Sequence, residues 1–421
     1  MQFFSIFDLL LSKAENQGMD LNELYLFFRG RKIKKADIEG LKQTSYIPSD
    51  ENFKEAIYDF LNMSELEIEL AMGRIPLAYR SSYFENIKNI AALLEPEEIK
   101  KPDKSSTLHP YYENEYGQLY HGDCIEVMRS LPQECVDLVF ADPPFNLNKA
   151  YDSGINDHLT MSQYINWTYQ WLDECVRLLK PGGRIFVYNI PKWCTYIASY
   201  LAETLTFWAW IAVDMKFSLP IQNRLYPAHY GLLSFVKGRK ANTFHNQRIP
   251  LQVCRHCGGE LKDYGGYKNK MNVSGVNVSD VWTDIYPVRH KGDKNRKYNE
   301  LSVKFMDRII AMSTDEGDTV FDPFGGSGTT FAVAQLLKRK WIGCELGDCE
   351  IIKERLIHPE SDLRQLQKKQ EESEGLFPPK IVELRKKNGF WTCDDFQKFP
   401  EINKDEHKQI SNPISLNLSF M

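Results

Sequence analysis

Four consecutive residues, Asp142-Pro143-Pro144-Phe145, are of types that could hold and activate an amino group. They directly follow the apolar run VDLVFA (136–141), which predicts a strand, so they lie on a loop at that strand's carboxyl end. A carboxylate and a backbone carbonyl held rigid by proline can accept the two N–H bonds of an aromatic amine. These hydrogen bonds draw the amine nitrogen towards tetrahedral geometry, which exposes its lone pair to a methyl electrophile. The phenylalanine could stack on a base extruded from a duplex. A proline-rich turn with an aspartate cap is the competing interpretation.

A second motif is the glycine-rich run F-D-P-F-G-G-S-G-T-T at 321–330, which follows the predicted strand TVFD and opens the helix FAVAQLLKRK. Glycines permit a tight turn and close approach of a ligand, and a helix N-terminus presents free N–H groups to polar ligand atoms. The run matches neither the dinucleotide-binding G-x-G-x-x-G nor the P-loop pattern. The candidate ligand-binding residues are Asp322, Phe324, Gly325, Gly326, Ser327, Gly328 and Thr329.

Two further acidic residues end predicted strands. Glu345 closes WIGCE, one strand after the glycine motif, where ribose hydroxyls are commonly bound. Asp123, in Y-H-G-D-C, precedes the helix around IEVMRSL. It could accept a hydrogen bond from an adenine amino group or serve as the helix N-cap, and the two roles are compatible.

The elements that must position these residues alternate between short β-branched runs and amphipathic stretches. Strands are predicted at 118–122, 136–141, 184–188, 208–214, 231–236, 319–322 and 341–345. A helix is predicted over 161–180, closed by Pro181-Gly182-Gly183. This alternation predicts an α/β fold whose mostly parallel sheet has helices on both faces, and such sheets bind ligands at the carboxyl ends of their strands.

Composition places the chain among ordinary globular proteins: 421 residues, 43% hydrophobic and 26% charged. No apolar run approaches the roughly 20 residues of a membrane span, and the apolar start lacks the basic region and cleavage site of a signal peptide. The nine cysteines are scattered, which favours the reducing cytoplasm over a disulfide framework.

The charge is unevenly distributed. The formal net charge is −5, yet 215–300 contains 15 Lys/Arg against 6 Asp/Glu. A basic block on an acidic chain suggests a polyanion partner, and Lys291, Lys294, Arg296 and Lys297 are candidate phosphate contacts. A solvated, loop-rich face explains the same charge equally well.

Changes of pattern divide the chain into six segments. We predict an N-terminal helical domain (1–95), a linker (96–115), a first sheet half (116–239), an insertion (240–300), a second sheet half (301–358) and a C-terminal tail (359–421). In the insertion, Cys254 and Cys257 form a C-x-x-C pair that resembles half of a structural zinc site. Two ordinary thiols are the alternative, since a second pair is absent.

In combination, these motifs resemble those of the DNA amino-methyltransferases. D-P-P-F and D-P-F-G-G-S-G-T-T look like the family's catalytic and cofactor motifs, and G-D-C, L-K-P-G-G and W-I-G-C-E-L fit the flanking ones. The catalytic motif precedes the cofactor motif, as in the permuted β group. The resemblance covers about 115–358. It implies a mostly parallel seven-stranded sheet, S-adenosylmethionine as methyl donor, a flipped target base and target recognition by the insertion.

The resemblance also implies a role for each matched residue. Asp142 and the Pro143 carbonyl would hold the target amine, with Pro144 stiffening the loop and Phe145 stacking on the base. Phe324 to Thr329 would form the cofactor loop, with Asp322 near the methionine amino group. Glu345 would bind the ribose and Asp123 the cofactor adenine. No metal is implied for catalysis.

Three functions stay open at this point. The first is adenine-N6 methylation of double-stranded DNA, favoured because cytosine-N4 members of the family tend to have serine where Asp142 stands. The second is cytosine-N4 methylation of DNA or RNA, and the third is nucleic-acid binding without catalysis. The family further implies a cognate restriction endonuclease as partner, and a homodimer is compatible with the sequence.

Overall fold

The computed structural model describes residues 3–43, 46–94, 108–147, 159–215, 220, 222–223, 225–262, 267–285, 300–373, 375–392 and 394. The chain divides into a larger unit, 1–245 with 280–365, and a smaller unit, 246–279 with 366–421. Each unit is therefore built from two separate stretches of sequence. Most of the predicted linker (96–115), namely residues 96–107, lies outside the described residues.

A single sheet forms the centre of the larger unit. Its strands are β1 (Tyr112–Glu113), β2 (Gly117–His121), β3 (Val136–Ala141), β4 (Leu179–Asn189), β5 (Thr206–Asp214), β6 (His229–Val236), β9 (Val281–Trp282), β10 (Thr319–Asp322) and β11 (Lys340–Glu345). They are ordered β1-β2-β11-β10-β3-β4-β6-β5-β9. The inner neighbours from β2 to β4 are all parallel, whereas β6 runs antiparallel to both β4 and β5.

The predicted fold class is confirmed. The seven longer strands are the seven predicted from sequence, and the two-residue strands β1 and β9 extend the edges to nine. Strands β3 and β10 have the predicted bounds because both are continuous, buried apolar runs, as expected of a parallel sheet covered on both faces.

Helices of the larger unit's sheet region are α8 (Cys124–Ser130), α9 (Met161–Leu178), α10 (Pro191–Leu201), α11 (Val303–Ser313), α12 (Thr329–Leu336) and α13 (Cys349–Ile357). A capping box starts α9, since Thr160 and Gln163 bond each other's backbone N–H. The prediction that Pro181-Gly182-Gly183 closes this helix was wrong. The helix ends at Leu178 and these residues lie within β4, because Leu179 already pairs with Val136 of β3.

The N-terminal region is helical, as predicted. It contains α1 (Ile6–Asn16), α2 (Leu21–Gly30), α3 (Lys35–Gly40), α4 (Glu51–Leu61), α5 (Glu65–Ala71), α6 (Arg80–Glu85) and α7 (Ile87–Leu94). A capping box of Ser64 and Glu67 starts α5. The start of this region is tied to α9, where Phe4 N donates to Ser162 Oγ at 2.9 Å and Ser162 N donates to Asp8 Oδ2 at 2.8 Å.

The smaller unit contains the antiparallel pair β7 (Arg248–Ile249) and β8 (Val276–Asn277) and the helix α15 (Pro379–Lys387). The end of α14 (Glu360–Ser373) also belongs to it. Within the described residues of the whole chain, no helix is both long and apolar enough to cross a bilayer.

Candidate active site

Neighbouring parallel strands bring the predicted motifs together. In the sheet, β10 lies between β3 and β11, and β11 pairs with β2. The carboxyl ends of parallel strands meet at one edge of a sheet. The Asp142 loop, the glycine loop, Glu345 and Asp123 therefore follow four adjacent strands at this edge.

The glycine loop is shaped by positions that admit no side chain. Gly328 has φ +79° at the N-cap of α12, and a Cβ there would meet Ile352 Cγ2 at 2.8 Å. Gly325 donates its N–H to the Cys344 carbonyl at 2.8 Å, and a Cβ on it would lie 2.9 Å from the Phe331 ring. The loop therefore packs against β11 and α13 with its backbone close to its surroundings.

Asp322 is buried beneath this loop. One carboxylate oxygen accepts from Phe324 N at 2.9 Å, and the other accepts from Thr330 Oγ1 at 2.5 Å. Burial raises the pKa of Asp322 to about 7, and the charge of Glu345 adds to the increase, while the two hydrogen bonds oppose it. Asp322 thus ties the start of the glycine loop to the first turn of α12.

Glu345, at the end of β11, accepts hydrogen bonds from the glycine loop and from the turn after β11. Its Oε2 accepts from Gly326 N and its Oε1 accepts from Gly347 N, both at 2.6 Å. The side chain is 9% exposed. An ionised carboxylate has about four acceptor positions, so it retains capacity for ligand hydroxyls while holding both amides.

Asp123 caps α8. Its Oδ1 accepts from Ile125 N at 2.9 Å and from Glu126 N at 3.3 Å. The preceding Gly122 donates its N–H to the Glu345 carbonyl at 3.0 Å, which joins the ends of β2 and β11. The helix-cap interpretation of Asp123 is therefore observed, and the cap leaves its second carboxylate oxygen, Oδ2, for another donor.

Arg355, on α13, holds the glycine loop in place by hydrogen bonds. Its Nη1 donates to Ser327 O at 3.1 Å and to Thr329 Oγ1 at 2.9 Å. The same guanidinium pairs with Asp362 at 2.8 Å and with Glu300 at 2.9 Å. The arginine side chain is 13% exposed, so this is a mostly buried charge network joining the loop to α14.

Two side chains fix the carbonyl groups of the Asp142 loop. Tyr164 OH donates to Pro144 O at 2.7 Å, and Trp193 Nε1 donates to Phe145 O at 2.8 Å. Asn189 Nδ2 donates in turn to the Tyr164 hydroxyl at 3.2 Å. These bonds occupy the carbonyls of Pro144 and Phe145, whereas that of Pro143 has no partner among the described residues.

An aromatic wall faces the same loop. The Phe145 ring centroid lies 5.7 Å from Tyr230 and 6.2 Å from Tyr188, and the two tyrosine rings are 5.0 Å apart. Burial and, secondarily, the charge of Asp142 raise the pKa of both tyrosines, so both hydroxyls stay protonated at neutral pH. On the other side, Phe324 of the glycine loop packs against Trp171 of α9 at 5.3 Å.

Sequence analysis did not identify Tyr164, Trp193, Tyr188, Tyr230 or Arg355. Tyr188 ends a predicted strand and Tyr230 directly precedes one, and an aromatic residue is ordinary at either position. Tyr164 and Trp193 are 20 and 48 residues from the carbonyls that they bind. No local pattern marks such contacts.

Cys254 and Cys257, the predicted half-site for zinc, are exposed in the smaller unit. Backbone N–H groups of His256 and Cys257 lower the pKa of the Cys254 thiol. Among the described residues, no three His, Cys, Asp or Glu side chains converge as metal ligands. The basic residues 291–297 lie outside the described residues.

Comparison with known proteins agrees with this site. The sequence model of the DNA methylase family that groups the N6 and N4 enzymes matches residues 136–354. The chain is 53% identical over 423 residues to the type II methyltransferase M.BamHI of Bacillus amyloliquefaciens, covering all of both chains. It is 32% identical over 239 residues to the DNA adenine methyltransferase YhdJ of Escherichia coli K12, covering 55% of this chain and 79% of that protein.

Among solved structures, the PvuII DNA methyltransferase, described as cytosine-N4-specific, is 22% identical with a TM-score of 0.40, covering 58% of this chain and 87% of that one. The family match spans both the Asp142 loop and the glycine loop, and the match to M.BamHI spans the whole chain. The chain therefore belongs to the N6/N4 family of DNA methylases and is an S-adenosylmethionine-dependent DNA methyltransferase.

Proposed function

We propose that this enzyme methylates the exocyclic amino group of one base at a specific site in double-stranded DNA, with the base flipped into the cleft beside Asp142. The observation that carries the proposal is the adjacency of β3 and β10, which puts the amine-binding loop next to the glycine loop. Proximity and alignment of the reacting groups supply most of the catalysis in such a site.

The glycine loop fits the methyl donor. At Gly326 an added Cβ would meet no atom closer than 3.8 Å, so the backbone there is open to a ligand, while Gly325 and Gly328 let the loop pack closely against α13. Glu345 offers acceptors for ribose hydroxyls, and the N-terminus of α12 lies beside the loop. When bound, S-adenosylmethionine supplies a methyl group on a positively charged sulfur.

The remaining site residues would complete this assignment when the donor is bound. Phe324, Ser327 and Thr329 would line the loop, Asp123 would accept from the adenine through its Oδ2, and Asp322 would be the carboxyl group nearest the methionine ammonium.

The Asp142 loop is built to hold an amine. The Asp142 carboxylate and the Pro143 carbonyl are the two acceptors, and the Tyr164 and Trp193 bonds keep the loop from turning those acceptors away. Phe145, backed by the tyrosines at 188 and 230, offers a face on which the base stacks. No covalent intermediate is needed, since the amine itself attacks the methyl group.

Adenine N6 is the first candidate for the target amine. Aspartate at position 142 supports it, and so does the 32% identity to a relative described as a DNA adenine methyltransferase. Cytosine N4 is the second candidate, because the matched family includes N4 enzymes and the pair of acceptors at Asp142 suits either amine.

The test is methyl transfer from labelled S-adenosylmethionine to duplex DNA, followed by digestion and mass spectrometry of the nucleosides. We expect N6-methyladenine from the wild-type enzyme and loss of transfer in Asp142→Ala. Asp173→Ala, on the surface of α9, is the matched control and should retain activity. N4-methylcytosine would replace the adenine assignment, and undiminished transfer by Asp142→Ala would refute the catalytic role of the loop.

Three wider features belong to the same proposal. We infer a restriction–modification role with a cognate endonuclease, supported by the full-length match to a type II methyltransferase. We infer a cytoplasmic location, supported by the scattered cysteines, which are unpaired in the described residues. A homodimer is the proposed assembly, and light scattering with and without DNA measures the molecular mass that tests it.

A further inference from the structure

The smaller unit is assembled from two distant stretches of the chain. Residues 246–279 belong to the predicted recognition insertion, and residues 366–394 belong to the C-terminal tail. Leu251 N donates to the Leu376 carbonyl at 2.8 Å, which joins the two stretches through their backbones. The tail is therefore a structural part of the same body as the insertion.

Arg385 of α15 is the central contact between the stretches. Its side chain is fully buried, with the guanidinium 4.5 Å from the centre of the Phe377 ring. Its Nη1 donates to the carbonyls of both Gly258 and Gly259, and its Nε donates to Trp391 O at 2.8 Å. One tail residue thus binds the turn that follows Cys254 and Cys257.

The turn is shaped to receive this arginine. Gly258 has φ +77°, and a Cβ on it would lie 2.6 Å from Arg385 Cγ. Asn388 adds a bond from its Nδ2 to the Cys257 carbonyl at 3.0 Å. Because a side chain at Gly258 would collide with Arg385, the insertion and the tail are fitted to each other at this point.

The smaller unit, 246–279 with 366–421, contains 14 Lys and Arg against 11 Asp and Glu, a balance of +3 on a chain whose net charge is −5. Exposed lysines occur on both stretches: Lys262 and Lys270 on the insertion, and Lys380 and Lys387 on α15 or at its end. Exposed cations on both halves of one small body suit a polyanion.

The family match ends at residue 354, and the match to YhdJ covers 55% of this chain, whereas the match to M.BamHI covers all of it. The tail therefore lies in the part of the protein that the wider family does not share.

We propose that residues 366–394 form the second half of the DNA-binding unit, and that Lys380 and Lys387 contact backbone phosphates of the duplex together with Lys262 and Lys270 of the insertion. Arg385 positions the two halves and does not itself contact DNA. This inference rests on the proposed function, because it assigns part of the binding of that DNA.

The experiment measures the affinity of the full-length enzyme for an unmethylated 30-bp duplex of arbitrary sequence as a function of salt. Each phosphate contact contributes about 0.9 to the slope of log K against log salt. We expect Lys380→Gln/Lys387→Gln and Lys262→Gln/Lys270→Gln each to reduce the slope by about 2. The control pair is Lys88→Gln/Lys338→Gln, which are exposed lysines of the larger unit outside the basic block, and its slope should equal that of the wild type.

A wild-type slope in Lys380→Gln/Lys387→Gln, with a reduced slope in the insertion pair, would overturn the inference and leave the proposed function intact. If the wild-type enzyme transfers no methyl group to any DNA, the proposed function itself fails.

Arg385→Gln provides a second readout. We expect faster limited proteolysis within 246–279 and weaker DNA binding, with unchanged S-adenosylmethionine affinity. Unaltered cleavage and DNA affinity would show that the arginine does not hold the halves together.

Discussion

Replacement of Tyr164 by phenylalanine removes the hydroxyl that donates to Pro144 O and accepts from Asn189 Nδ2. The ring would keep its contact with Trp193, whose centroid lies 4.6 Å away. The Asp142 loop would then keep its aromatic packing and lose one of two bonds that fix its carbonyls. This substitution isolates the contribution of loop geometry to catalysis.

The expected size follows from the burial of the bond. An acceptor left without its donor costs ~1–3 kcal/mol when buried. The Tyr164–Pro144 bond is only partly buried, so water replaces some of it and the lower part of the range, ~1–2 kcal/mol, applies. If the whole cost falls on the transition state, kcat decreases about 5- to 30-fold.

Single-turnover methyl transfer at saturating DNA and S-adenosylmethionine measures this effect, together with donor affinity by calorimetry. We expect kcat to fall while donor affinity stays at the wild-type value. Tyr169→Phe is the matched control, because Tyr169 lies on the same helix and stacks on Tyr200, away from the loop. Wild-type kcat in Tyr164→Phe would refute the idea that this hydroxyl orients the loop.

Two further predictions concern the glycine loop. Arg355→Gln should weaken S-adenosylmethionine binding and lower the free energy of unfolding, measured in urea titrations, by ~3–5 kcal/mol. The reason is that Glu300 and Asp362 lose a mostly buried cation. An unchanged binding affinity together with an unchanged free energy of unfolding would contradict the anchoring role of Arg355. The contribution of Asp322 to the stability of the ligand-free enzyme should fall as pH rises from about 4 to about 7 and then level off. The reason is that the Asp322 carboxyl has a pKa of about 7 in the folded state, whereas in the unfolded state it releases its proton near pH 4. Asp322→Asn should remove this component from the pH dependence of urea midpoints, and an identical profile in that variant would contradict it.

The parts of the site predicted from sequence are those that local pattern determines. Asp322 and Glu345 each end a short apolar strand and Asp142 directly follows one, so their place at one edge follows once the sheet is known to be parallel. The family resemblance implied a mostly parallel seven-stranded sheet, but the order of the strands was not predicted, because pairing between distant strands leaves no local trace.

The contacts that hold the loops in place could not be predicted in the same way. Tyr164 and Arg355 each lie on a helix, where their types are ordinary, and their roles arise from partners brought near by the sheet. Arg385 binds carbonyls 126 and 127 residues away in the chain. The tail that contains it has neither a periodic strand pattern nor a motif, so sequence analysis left it without a role.

The β4 start was misjudged for a related reason. Pro181-Gly182-Gly183 has turn composition, yet Gly183 lies where a Cβ would meet the carbonyls of Lys180 at 2.8 Å and Asp137 at 3.0 Å. The glycine is needed for close approach to the neighbouring strand, which composition cannot distinguish from a turn.

The division of the smaller unit between two stretches also affects its synthesis. On the ribosome, residues 246–279 emerge before residues 366–394 have been translated, a delay on the order of 5–20 s at elongation rates of about 5–20 residues per second. All strands of the large sheet are complete by Glu345, before Arg385 is made. The nascent chain can therefore fold its methyl-transfer centre before α15, the helix that completes the smaller unit, has been synthesised.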